Sequence, residues 1–98
     1  MSNKYQTIRE IYIDLYIRNK AIVRANKKEK PEDFPIIKVN GKRLMQLSRL
    51  NFLRRKEIDN DFSNGLLTDK GYVEEMTICQ YISYQITNTE HSQKILFV

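Results

Sequence analysis

The stretch Ile36-Ile37-Lys38-Val39-Asn40-Gly41-Lys42-Arg43-Leu44-Met45 opens with four residues of strand-like composition and passes through Asn-Gly into a basic, leucine-bearing segment. Residues 36 to 39 read as a short strand, and Asn40-Gly41 can supply the positive φ values of a tight turn. Lys42 to Met45 then admits two readings, the return strand of a hairpin or the first turn of a helix. The first adds a small sheet to the fold, and the second makes it wholly helical in its centre.

Upstream, Lys27-Lys28-Glu29-Lys30 is followed by Pro31 and Pro35. Proline lacks the backbone donor and restricts the residue before it, so residues 29 to 35 read as a linker. Before that, Ile8, Ile11, Tyr12, Leu15, Tyr16, Ile22 and Val23 fall on one broad face at about 100° per residue, which predicts a helix from Tyr5 to about Lys28. Arg9, Glu10, Asp14, Arg18 and Arg24 take its polar side, with Asp14 and Arg18 spaced for an i,i+4 pair. The β-branched and aromatic run from Ile11 to Ile17 suits a buried strand as well, but the length of the periodic segment favours the helix.

Downstream, Leu44, Leu47, Leu50 and Leu53 recur every three residues, so each drifts by about 60° on an ideal helix and they form no single stripe. That predicts either a helix contacted on several sides or two short helices with a bend, running through Ile58 and Phe62 to a stop at Asn64-Gly65. The last helix starts after Thr68 or Asp69, either of which can cap it, and runs to about Thr87. Its expected buried line is Tyr72, Met76, Cys79, Ile82 and Ile86. Asn88 to Gln93 reads as loop, and the apolar end of the chain as a terminal strand over 94–98 that pairs with residues 36 to 39. The expected fold is mainly α, three or four helices with a short two-stranded sheet, open to a winged-helix-like arrangement.

Leu66-Leu67-Thr68-Asp69-Lys70-Gly71 resembles the Leu-Thr-x-Lys-Gly stretch that leads into the last helix of many winged-helix transcriptional regulators, such as the multidrug-resistance and phenolic-acid repressor families. The resemblance spans six residues, and Asp59 to Gly65 leaves little room for the wing hairpin those families place upstream. It implies that the preceding basic helix reads DNA, with Arg49, Arg54 and Arg55 as its candidates. A capped helix start accounts for the same six residues without kinship.

The 98 residues make one small domain, 41% hydrophobic and 30% charged, compositions that fold rather than stay disordered. Nothing approaches the roughly 18 consecutive apolar residues of a membrane span, and Met1 to Lys4 leads into no signal-peptide core, so a cytoplasmic protein is expected. The lone Cys79 has no partner for a disulfide or a zinc site, which fits reducing surroundings. No metal or cofactor is expected: His91 is the only histidine, the pairs Glu74-Glu75 and Asp59/Asp61 read as surface charge, and three glycines make no phosphate loop. Catalysis therefore finds no constellation to rest on.

Charge is the informative feature. Residues 1–57 hold fifteen Lys and Arg against six Asp and Glu, a balance of +9, whereas residues 58–98 hold two against six, a balance of −4. A basic half suits an anionic partner, because clustered Lys and Arg release counterions on binding nucleic acid. Lys42, Arg43, Arg49, Arg54, Arg55 and Lys56 are the candidate nucleic-acid contacts, DNA before RNA, with help from Lys20, Arg24, Lys27 and Lys28. They point in several directions around the expected helix. The competing expectation is a protein-binding inhibitor that blocks a host polymerase, nuclease or transcription activator. Tyr81 and Tyr84, with Val73 and Ile78, lie off the buried line of the last helix and are its candidate partner contacts, in a host protein or in a homodimer seam. Small size and an Asn/Lys/Ile/Tyr-rich composition associate the chain with phage or mobile-element products.

Overall fold

A computed structural model describes residues 6–27 and 29–96. They form three α-helices, α1 (Ile8–Arg24), α2 (Gly41–Ser63) and α3 (Asp69–Leu96), with one 3-10 turn at Pro31–Asp33 between the first two. Each start has a local cause. Thr7 accepts from the Glu10 backbone N–H while the Glu10 carboxylate takes the Thr7 backbone N–H, a capping box. The Asn40 side chain accepts from the Arg43 backbone N–H, and the Thr68 hydroxyl accepts from that of Gly71. The Asn64-Gly65 stop is real: Gly65 takes φ 75°, a left-handed conformation that glycine adopts without penalty.

Helices α2 and α3 run antiparallel. The pairs Gln93–Val39, Asn51–Cys79 and Tyr72–Asp59 mark successive points along them. The single core is built from Tyr12, Leu15, Ile37, Leu44, Leu47, Ile78, Ile82 and Ile86, so α1 and the segment after the 3-10 turn close over the α2–α3 pair. The drift of the leucines is visible in their burial: Leu44 and Leu47 are buried, Leu50 is half-buried and Leu53 is 44% exposed. They nonetheless belong to one unbroken helix.

Several expectations are corrected. No strand is present among the described residues, so the two-stranded sheet and the winged-helix arrangement fall together. Asn40-Gly41 makes no positive-φ turn, because Asn40 has φ −77° and serves as the cap of α2. Residues 94–96, expected in a terminal strand, continue α3 together with the supposed loop at 88–93; Phe97 and Val98 lie outside the described residues. Along α3, Ile78 is completely buried, while Tyr72 and Met76, expected on the buried line, are only half so. Asp14 accepts from Gln6 rather than pairing with Arg18.

The physical reason that residues 35–39 need no second strand is the polar flank of α3. Gln85 donates to Pro35 O at 3.4 Å, and Asn88 donates to Pro31 O and Phe34 O at 2.8 and 3.0 Å. The Thr89 hydroxyl accepts from Ile37 N at 2.8 Å while donating to Gln85 O, and Gln93 donates to Val39 O at 2.7 Å. Residues spaced three and four apart on one helix thus supply the backbone partners that a strand would otherwise provide.

Candidate binding surface

The six basic residues of α2 divide into three groups. Lys42, Arg49 and Lys56 are seven residues apart, two helical turns each, so they fall almost in line at intervals of about 10 Å. All three are exposed, on the side opposite the buried Leu44, Leu47, Asn51 and Ile58. Arg55 is exposed on the flank, where it borders a shallow groove between α2 and α3 with Ser48, Ser83 and Glu90. Arg43 and Arg54 are half-buried on the inner side.

Arg54 is neutralised within the fold. Its guanidinium lies 2.9 Å from Glu57 and 3.8 Å from Glu75, and 5.5 Å from the centre of the Tyr16 ring. The Tyr16 hydroxyl donates to Glu75 as well. Burial, followed by that bond to a carboxylate, pushes the Tyr16 hydroxyl well above the usual phenol range. Among the supporting cations, Arg24 pairs with Glu74 at 3.0 Å, Lys20 is half-buried and Lys27 is exposed. Lys28 lies outside the described residues. Part of the acidic half of the chain therefore answers the basic half inside one molecule.

Apolar side chains lie among the outward cations. Met45 is 75% exposed and Phe52 56%, and the two are again seven residues apart. Leu53 flanks the cation line on the other side. The Lys56 ammonium sits 4.8 Å from the centre of the Phe52 ring, a cation–π distance. The outer face of α2 is thus a strip of Met45, Phe52 and Leu53 bordered and crossed by Lys42, Arg49 and Lys56. Reading the leucines alone conceals it; the signal in the sequence is that Met45 and Phe52 share the heptad spacing of the cations and stand out of phase with Leu44 and Leu47.

The tyrosine surface is built differently. Phe34, only 3% exposed, packs against both Tyr81 and Tyr84 with ring centroids 4.7 and 5.5 Å away, and the two tyrosine rings stack on each other at 6.2 Å. Both tyrosines are half-buried, with ring area already covered from within the chain.

Further in, Tyr12 donates to Asn51 Oδ1 at 2.8 Å, and Asn51 Nδ2 donates to Cys79 O and Ser83 Oγ at 3.0 Å each. This network satisfies the polar atoms of the helix crossing. Burial pushes the Cys79 thiol up, away from the reactive thiolate form. His91 is exposed on α3, and Asp59 accepts from Tyr72 at 2.6 Å. Among the described residues no group of three or more His, Cys, Asp and Glu is placed to hold a metal ion, and no helix is long and apolar enough to cross a membrane.

No protein-family model, no curated protein and no solved structure matches this chain.

Proposed function

We propose that this protein is a non-catalytic regulatory module that recognises another protein through the outer face of α2, as an inhibitor or adaptor does. The observation that carries the reading is the exposed strip of Met45, Phe52 and Leu53 set among Lys42, Arg49 and Lys56. Apolar centre and charged margin is the anatomy of a protein interface, where desolvated aromatic and aliphatic anchors supply affinity and peripheral charges select the partner. The cations select a partner segment that is acidic as well as apolar. Phosphates would leave the three apolar side chains without a role, and two of the six candidate phosphate contacts, Arg43 and Arg54, sit half-buried on the inner side.

A second reading is favoured by the cation line itself: three charges about 10 Å apart along one side of a helix suit a phosphate backbone. One pair of titrations separates the two. A helical peptide with leucines on one face and flanking glutamates should shift the amide resonances of Met45, Arg49, Phe52, Leu53 and Lys56. The double variant Met45→Ser/Phe52→Ser should weaken that binding by about tenfold or more, the usual effect of truncating interface anchors. Duplex DNA bound through three phosphates would instead lose affinity with salt at a log–log slope near about −3. DNA binding with that slope, unchanged in the double variant and accompanied by no peptide binding, replaces protein recognition with nucleic-acid recognition.

A further inference from the structure

Away from α2, an open cleft of about 500 Å³ lies between α1 and residues 35–39. Ile11, Leu15 and Ile22 form one wall and Ile36 and Ile37 the other, with Asn19 and Gln85 among the lining residues. Asn19 is completely buried, and its amide orientation is determined: Nδ2 donates to Leu15 O at 2.8 Å and to Gln85 Oε1 at 2.6 Å. Turning the amide over would set an oxygen against two acceptors. Oδ1 is therefore left as an acceptor, buried and without a partner. A buried acceptor without a donor is unfavourable, and native proteins satisfy nearly all such atoms.

The mouth of the cleft carries Arg18, Lys38 and Asp14. The Asp14 carboxylate takes a hydrogen bond from Gln6 at 3.0 Å, whereas Arg18 and Lys38 make no ion pair among the described residues. Two cations against one carboxylate leave the mouth net positive, the walls favour hydrocarbon, and Asn19 among the lining residues keeps an acceptor without a donor. A volume of this size is ordinary for a small-molecule site.

We propose that this cleft binds a compact apolar acid that carries a hydrogen-bond donor, with the donor directed at Asn19 Oδ1, the hydrocarbon against Ile11, Leu15, Ile22 and Ile36, and the carboxylate at Arg18 and Lys38. The site is separate from the outer face of α2 and stands or falls independently of the function proposed for it.

Three probes test the three parts of the recognition. Indole-3-propionate has donor, ring and acid; naphthalene-1-propionate lacks the donor; 3-propylindole lacks the acid. Titrated against the isotope-labelled intact protein, indole-3-propionate should shift the amides of Leu15, Asn19, Ile36, Ile37 and Gln85. It should bind about tenfold more tightly than the naphthalene acid, the factor expected for one hydrogen bond to an otherwise unpaired acceptor. Asn19→Leu should abolish that preference. Because this variant also removes the bond to Gln85, two rim variants that leave the core intact accompany it. Arg18→Ala should weaken the acid several-fold and leave 3-propylindole unchanged, and Ile36→Asp should weaken all three. Equal affinity for the indole and naphthalene acids, shifts that map elsewhere, or no binding of any probe at millimolar concentration would overturn the proposal.

Discussion

Two aromatic-bearing surfaces of this molecule have similar composition and opposite fates. On α3, Tyr81 and Tyr84 pack together against Phe34, which is 3% exposed; on the outer side of α2, Phe52 is 56% exposed with Lys56 over its ring. The difference lies in the chain segment opposite each. Pro31 and the 3-10 turn deliver Phe34 to the tyrosines, and Asn88 on α3 holds that turn by two carbonyls. Nothing among the described residues is delivered to the outer face of α2. An aromatic patch on one helix is therefore a core feature or a binding feature according to what a distant loop brings to it.

The largest contrast is expected from truncating the two phenylalanines. Phe34→Ala should destabilise the fold by about 3–5 kcal/mol, the usual consequence of emptying a buried aromatic site. Phe52→Ala should change stability by no more than about 0.5 kcal/mol, as surface substitutions do. Chemical denaturation of both variants measures the pair; equal losses would mean that Phe52 is covered too.

A smaller effect tests what holds the segment carrying Phe34. Thr89→Val keeps the shape of the side chain but removes the acceptor for Ile37 N, and should cost about 1–3 kcal/mol for a buried donor left unpaired. Amide exchange at Ile37 should accelerate in step with it.

The smallest effect appears in alkali. Burial above all holds the Tyr12 hydroxyl well above its ordinary value of 10.0. Below that value the hydroxyl is neutral in both folded and unfolded chains, and its stabilisation is complete. As pH rises past about 10 only the unfolded chain ionises, so stability falls, by about 1 kcal/mol at pH 11 for one such group. Tyr12→Phe should be less stable at neutral pH, through loss of the bond to Asn51, yet show a shallower decline above pH 10. Melting curves between pH 8 and 11 compare the slopes; parallel declines would mean that Tyr12 titrates normally.

Local signals in the sequence were legible where a short-range mechanism enforces them. Pro31 and Pro35 marked the break after α1, Asn64-Gly65 the end of α2, and Thr68 the start of α3, since capping and proline effects act within four residues. The centre was harder. Ile36 to Val39 has strand composition, and the hydrogen bonds that keep it from needing a strand come from Gln85, Thr89 and Gln93, about fifty residues away. Two of those polar residues, Thr89 and Gln93, stand in the stretch 88–93 that reads as a loop and that continues α3. The candidate surface was half legible: six basic residues were plain, but Arg54 stood among them although Glu57 and Glu75 neutralise it, and Met45 and Phe52 passed unnoticed beside the leucines.

By itself the sequence determined that this is a small, mainly helical chain with a basic first half and helix boundaries at its caps and breakers, because these follow from backbone propensity and composition. The tertiary structure decided which charges face outward, which aromatics are covered, and where an unpaired acceptor lies under a cleft. Each of those depends on side chains from different helices meeting at a few ångströms, which no local spacing encodes.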